Sequence, residues 1–174
     1  MGMQDTLEQV INYEVFVDGG RCLGTASVDL PEINYMTQDI KGAGIAGQYS
    51  APTLGHLDSL EIKLTFRAIY ESPISLMEQK AVILSLRGAI QQYDSATGVL
   101  KALPVRIDGR GRIKGGAMGK FEPSELTDTE ITFECDVISI KVNNVELFMH
   151  DKLNFVNRVN GQDYLAPVRA ALGI

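Results

Sequence analysis

Apolar and polar side chains alternate along most of this chain with the two-residue period of strands that bury one face. The clearest run is "SLEIKLTFRAI". Leu60, Ile62, Leu64 and Phe66 fall on one side, and Glu61, Lys63, Thr65 and Arg67 on the other. "VINYEVFVDG" (10–19) alternates as well, and Gly19-Gly20 predicts a turn into a second strand over "CLGTASVDLPEI". "AVILSLRGAIQQYD" (81–94) and "LKALPVRIDGRGRIKG" (100–115) predict a long hairpin turning at residues 95–98. In "TEITFECDVISIKVN" (129–143) the apolar parity runs through Ile131, Phe133, Cys135 and Val137. It then slips to Ile138, Ile140 and Val142, the mark of a bulge or a change of face. Two short strands follow in 144–161. Helical signals are confined to "PISLMEQ" (73–79) and the end of the chain, where Pro167 sits near a helix start. The pattern predicts an antiparallel β-sandwich or barrel with one or two short helices, in one domain over 1–174.

One stretch breaks the pattern. Residues 34–57 show no period and read as a long loop or extended arm. A connection of that length is functional, disordered or pinned by a partner. Ile40, Ile45, Tyr49 and Leu54 give it apolar anchors that a disordered segment has no use for and docking on another subunit does. Within it Gly42, Gly44 and Gly47 spell G-x-G-x-x-G, the string of a dinucleotide-binding loop. That loop needs a buried strand before it and a helix after it. Here Met36 to Lys41 is too polar for such a strand, and Pro52 and Gly55 prevent the helix. "GGAMGKF" (115–121) likewise falls one residue short of a P-loop and carries Phe121 where Ser or Thr would hold magnesium. The glycines are instead expected to let the chain turn tightly and pack backbone against backbone.

Composition narrows the function classes. The 174 residues carry a net charge of −6, which opposes tight binding of nucleic acid. One exception is "RIDGRGRIKGG", where Arg106, Arg110, Arg112 and Lys114 share a parity and so a strand face. It reads as a solvated face, as a contact with an acidic neighbouring subunit or, less favoured, as a nucleic-acid contact. No apolar run is long enough to span a bilayer, and the first residues lack the pattern of an export signal. Met1-Gly2 fits a myristoylation string superficially, without a basic patch beside it. Cys22 and Cys135 are expected to be reduced thiols, the second buried in a strand. His56 and His150 are the only histidines, lack metal-ligand spacing and are expected at the surface or at strand ends. Asp128 with Glu130, and Glu134 with Asp136, read as solvated pairs. No catalytic residue, cofactor or metal is expected.

Three stretches in order carry a family likeness: "INYEVFVDGGRCLGTASVDLPEI", then "DIKGAGIAGQYSAPTLGHLDSLEIKLTF", then the closing "KLNFVNRVNGQDYLAPVRAALGI". The order resembles the major tail tube proteins of contractile-tailed (myovirus-type) phages and phage-tail-like bacteriocins. Gly42, Gly44 and Gly47, the strand from Leu60 to Phe66, Val159-Asn160-Gly161 and Leu172-Gly173 are its most specific parts. The middle of the chain is less distinctive. The resemblance implies a β-sandwich subunit similar to that of the type VI secretion tube. Six such subunits form a ring, and the rings stack into a hollow tube inside a sheath. It implies as partners other copies of the chain, the tail sheath protein, baseplate and tail terminator proteins, and DNA in transit if the particle is a phage, but no membrane. Synthesis in a bacterial cytoplasm and residence in a virion or tail-like particle go with it. The arm, through Ile40, Gly42, Gly44, Ile45, Gly47, Tyr49 and Leu54, would lie in contacts between subunits or rings. Glu61, Lys63 and Arg67 would face the lumen or the sheath. A negative lumen would let DNA slide.

Two other readings stand beside this one. A monomeric β-sandwich could bind a carbohydrate or a peptide, or an enzyme could assemble a triad from distant residues. Size separates the first of these from a tube subunit, because only a tube subunit polymerises.

Overall fold

A computed structural model describes residues 5–22 and 24–174. The Met1-Gly2 string lies outside the described residues. The chain forms β1 (Asp5–Val17), β2 (Gly20–Cys22), β3 (Thr25–Asp29), β4 (Tyr35–Lys41), β5 (Gln48–Leu57) and β6 (Glu61–Phe66). After the helix α1 (Glu71–Ser75) come β7 (Ala81–Asp94), β8 (Val99–Ala117), β9 (Thr129–Val142), β10 (Val145–Asp151), β11 (Val156–Val159), β12 (Gln162–Asp163) and the helix α2 (Ala166–Leu172). The mainly antiparallel β fold expected from the alternation is borne out. A ten-stranded sheet runs β12-β11-β10-β9-β8-β7-β1-β2, with β6 and β3 branching from β9.

The branch arises at β9. Its first half, Thr129 to Glu134, pairs with β6, and its second half, Val137 to Val142, pairs with β10. β8 lies along the opposite edge and opposes Arg110 to Val137 but Gly111 to Cys135, so Asp136 bulges out of the ladder. This is the predicted slip of parity. Ile131, Phe133 and Cys135 enter the core before it and Ile138 after it. The bulge needs Gly111, where an added Cβ would stand 2.0 Å from the Glu134 carbonyl oxygen.

β6 and β3 fold over β1, β7 and β8 as a second layer. Ile62, Leu64 and Phe66 of β6 meet Val15, Leu84, Leu86 and Ile107 in one cluster. At Gly109 of β8 a Cβ would come within 3.0 Å of Ile62 Cδ1, which shows how closely the layers approach. Burying a side chain of this size contributes about 1.5–3 kcal/mol.

Local chemistry sets the turns. Asp18-Gly19, Asn143-Asn144 and Asn160-Gly161 all have positive φ, as primed two-residue hairpin turns require. In the predicted β7–β8 hairpin the Asp94 carboxylate accepts the backbone N–H groups of Ala96 and Thr97. Bonds from the Thr97 side chain and Lys101, with those amides, bring its pKa down to about 2.

Several boundaries differ from expectation. The strand predicted over "CLGTASVDLPEI" is two strands: β2 stays with β1, while β3 crosses to pair with β6. Gly24, at φ +78, lies at this break, where a Cβ would collide with the Tyr70 ring. The first helix starts and ends earlier than "PISLMEQ", at Glu71–Ser75. Residues 144–161 hold β10 and β11 as predicted, and β12 follows them.

Removing the Phe133 ring leaves a cavity where the two layers meet. Phe133→Ala is expected to cost about 3–5 kcal/mol in chemical denaturation. Gly111→Ala, which pushes a methyl into β9 backbone, is expected to cost about 1–3 kcal/mol.

Candidate assembly site

The stretch expected to be an aperiodic loop is a two-stranded β-hairpin, β4–β5, forming a sheet of its own. Its period is hidden because strand-forming residues are mixed with Gly, Pro and polar residues, and the pairing is irregular near Tyr35 and Thr37. The hairpin is amphipathic. Asp39 accepts hydrogen bonds from Gln48 Nε2 and Ser50 Oγ on one face. Ile40 and Tyr49 are cross-strand partners on the other. At the tip, Gly42, Gly44 and Gly47 have φ of 153°, 90° and 122°, and no atom lies within 4 Å of an added Cβ. Within one subunit these glycines therefore serve backbone conformation; the close packing expected of them is not made inside the subunit.

The arm's apolar side chains are only partly covered. Tyr49 is 53% exposed and Leu54 55%, and Ile40 and Ile45 are exposed with them. The root is firmly held. Leu57 is buried, and Asp58 N–H donates to Asn34 O at 2.9 Å. Gly55, at φ +66, lies against Leu165 so closely that a Cβ would stand 2.5 Å from its side chain. Nothing in the residue string marks this contact, because the partners lie far apart along the chain.

Beside the root lies a cavity of about 200 Å³ lined by His56, His150, Asp151, Lys152, Phe155 and Leu165 among others. His56 is exposed, as expected. His150 is not at the surface: it is 2% exposed, and its Nδ1 has no hydrogen-bond partner. Its position near the end of β10 was legible, but not its cover, because β11 pairs Asn157 opposite it. Burial, and then the Lys152 charge, push the imidazole pKa down. Asp151 is shifted down as well. Burial alone would raise it, but bonds from Asn154 and Leu153 outweigh that.

Glu61 and Lys63 lie on the partly exposed outer face of β6, with exposed Arg67 just beyond the strand end. They belong to the strand layer of β6, while the arm's apolar anchors belong to the β4–β5 hairpin and its tip. Glu134, read from sequence as merely solvated, is a hub at the β9 branch. It accepts from Lys152 Nζ at 2.7 Å, from Ser59 Oγ and from Leu60 N–H at 3.2 Å. Lys114 bridges to Glu61 at 2.6 Å. Burial would raise the Glu134 pKa, yet these bonds hold it below its ordinary value. Cys135 is buried as expected, which pushes its thiol up to about 12; Cys22 is buried too. Among the described residues no group of three or more His, Cys, Asp or Glu could hold a metal, and no helix is long and apolar enough to cross a membrane.

A second uncovered apolar surface is a groove of about 320 Å³ on the core side of the long sheet, lined by Val10, Tyr13, Leu86, Ile90 and Val105 among others. β2 and β12 end the strand order with no further partner among the described residues. An anchored arm with a bare apolar face, an apolar groove and open sheet ends define a class: a β-sheet subunit with surfaces suited to assembly.

The chain belongs to the phage tail tube protein FII family, whose model matches residues 7–173. It is 28% identical over 167 residues to the tail tube protein of Escherichia phage P2, covering 92% of this chain and 94% of that protein. The sheath/tube terminator of the PVC extracellular contractile injection system, in its extended state, matches with a TM-score of 0.50. That match has 17% identity over 75% of this chain and 94% of the other, and it supports the fold. A chain of the sheath–tube complex of that system gives 0.49 at 16% identity, over 74% and 87%. The resemblance read from the sequence is borne out, and the protein is a structural tail tube subunit.

The His150 shift fixes a pH dependence. Its folded pKa lies below the unfolded value of about 6.5, so the unfolded chain binds the proton more readily. This contribution to stability is complete above about pH 6.5 and falls away as the solution is acidified through the window below. Denaturation midpoints measured from pH 7.5 downward are expected to fall, and His150→Asn is expected to flatten that fall.

Proposed function

We propose that the subunit polymerises as six-membered rings stacked into a hollow tube, enclosed by a sheath, through which DNA or an effector passes. The whole chain, 1–174, acts as one tube domain. It performs no catalysis. The observation that carries this reading is the uncovered Ile40–Tyr49 face of an arm whose root is locked. An exposed apolar surface on a rigid mount is the mark of an interaction site. The contact is with further copies of the chain, through Ile40, Ile45, Tyr49 and Leu54, with Gly42, Gly44 and Gly47 shaping the tip.

The sheet topology favours one orientation. A closed wall forms if the long sheet continues sideways from copy to copy at its open ends, β2 and β12. The β3–β6 layer already covers one face of that sheet. The bore is then lined by the other face, which carries Glu14, Arg87, Arg106 and Lys141. Glu61, Lys63 and Arg67, on the covering layer, look outward toward the sheath. Particle ends would be closed by terminator and baseplate proteins, and the tube would reside in a virion or tail-like particle assembled in a bacterial cytoplasm.

Tyr49→Ser with Leu54→Ser removes apolar surface that is about half exposed and lies outside the core cluster of the subunit. The double variant is expected to keep the wild-type thermal midpoint within about 2 °C while tubes disappear from negative-stain micrographs. Normal tubes from this variant would remove the arm from the interface. A wild-type protein that sediments as a monomer at high concentration would favour a monomeric ligand-binding module instead.

A further inference from the structure

The face of the long sheet turned away from the core carries a row that the sequence only half reveals. Arg106 belongs to the same-parity run seen in β8. Strand pairing sets Arg87 of β7 directly opposite it on one side and Lys141 of β9 directly opposite it on the other. Adjacent strands lie about 4.8 Å apart, so three cations are gathered within about 10 Å. Arg110 lies further along β8 on the same parity. Like charges in direct cross-strand register repel each other and destabilise a sheet.

Two of the carboxylates around this row are paired outside it, and a third, Asp108, pairs with Arg106 within it. Glu14, opposite Arg87, is paired with Arg21. Glu146, opposite Lys141, is paired with Arg158 at 3.3 Å. Asp108 accepts from Arg106 Nε at 2.8 Å and from Ser85 Oγ at 2.6 Å. Arg87 rests over the Phe16 ring, 4.2 Å from its centroid. Among the described residues neither Lys141 nor Arg110 has an ion pair. On a chain of net charge −6, this is a local cationic band with unused capacity.

We propose that Arg87, Arg106 and Lys141, with Arg110 beside them, are a contact row for the phosphate backbone of nucleic acid passing over this face. The inference rests on the reading that the face lines the bore. Guanidinium forks match phosphate oxygens geometrically. Its neighbours on this face are mostly polar, Glu14, Ser85, Asp108 and Ser139, with the Phe16 ring under Arg87 and Ala89 and Pro104 beside the row, unlike the largely apolar centre of a stable protein interface. The flanking carboxylates keep the contact weak, so a polyanion is guided and released. The acidic lumen expected from net charge alone is replaced by a face of mixed charge with a cationic centre.

The test measures binding of a labelled duplex DNA of about 20 base pairs to unassembled full-length subunit across a salt series starting near 50 mM, where phosphate contacts are strong. Wild type is expected to bind weakly. Its log affinity is expected to fall linearly with log salt. R87Q/R106Q/K141Q is expected to lower affinity at least tenfold and to reduce the slope by about 2–3, near 0.9 per lost phosphate contact. K41Q/K80Q/K120Q changes net charge by the same amount elsewhere and is expected to keep the slope. R87K/R106K, which preserves charge and guards against misfolding, is expected to keep it as well. Equal losses in both neutralised triples, or no binding by wild type, would overturn the row. Negative-stain images of the same proteins keep the two readings apart. Absence of tubes from wild type counts against the tube reading. Loss of tubes from R87Q/R106Q/K141Q with DNA binding unchanged would make the row an acidic-subunit contact and overturn the nucleic-acid assignment.

Discussion

β9 serves two directions at once, and the rest of the molecule depends on how it does so. Its first half pairs with β6 and its second half with β10, while β8 runs along its whole opposite edge. The bulge at Asp136 lets Ile131, Phe133 and Cys135 face the core and allows Ile138 to do so on the other side of the shift. Without it, a continuous two-residue period would turn one half of the strand's apolar set toward solvent. Glu134, joined to Lys152, Ser59 and Leu60, pins the strands where they diverge. The covering layer, the sheet that continues to β12 and the arm root all take their positions from this fork.

That architecture leaves the subunit unfinished. The core is closed where β6 crosses the long sheet, yet the apolar groove beside Val10 and Ile90 and the apolar face of the arm stay bare. Leu57 and the Gly55–Leu165 contact hold the arm's base, so its exposure is a consequence of mounting and not of a loose attachment. An element that orders its backbone and keeps its apolar face in water gains full stability only when another surface covers it. In the proposed assembly, further copies of the chain supply that surface.

Much of this was legible in the residue string, for a definite reason. Strands with one dry face announce themselves by period two, and β6, β7, β8 and β9 did so, including the slip of parity in β9. The arm's hairpin was not legible, because neither face is buried within the subunit and no burial pattern marks it. Its apolar residues were still visible as anchors without a partner. Long-range contacts were beyond reach. Gly55 against Leu165, His150 beneath β11 and the alignment of Arg87, Arg106 and Lys141 all depend on strand register. The run from Arg106 to Lys114 showed a shared face, but only pairing supplied the lateral neighbours that give the row its charge density.

Backbone hydrogen exchange, compared between dispersed and assembled protein, tests the central claim most directly. The account predicts that amides in residues 36–54 slow on assembly by at least about tenfold, while those of β6 and β9, already in the core, change little. Assembled tubes in which residues 36–54 exchange as fast as in the dispersed subunit would contradict it.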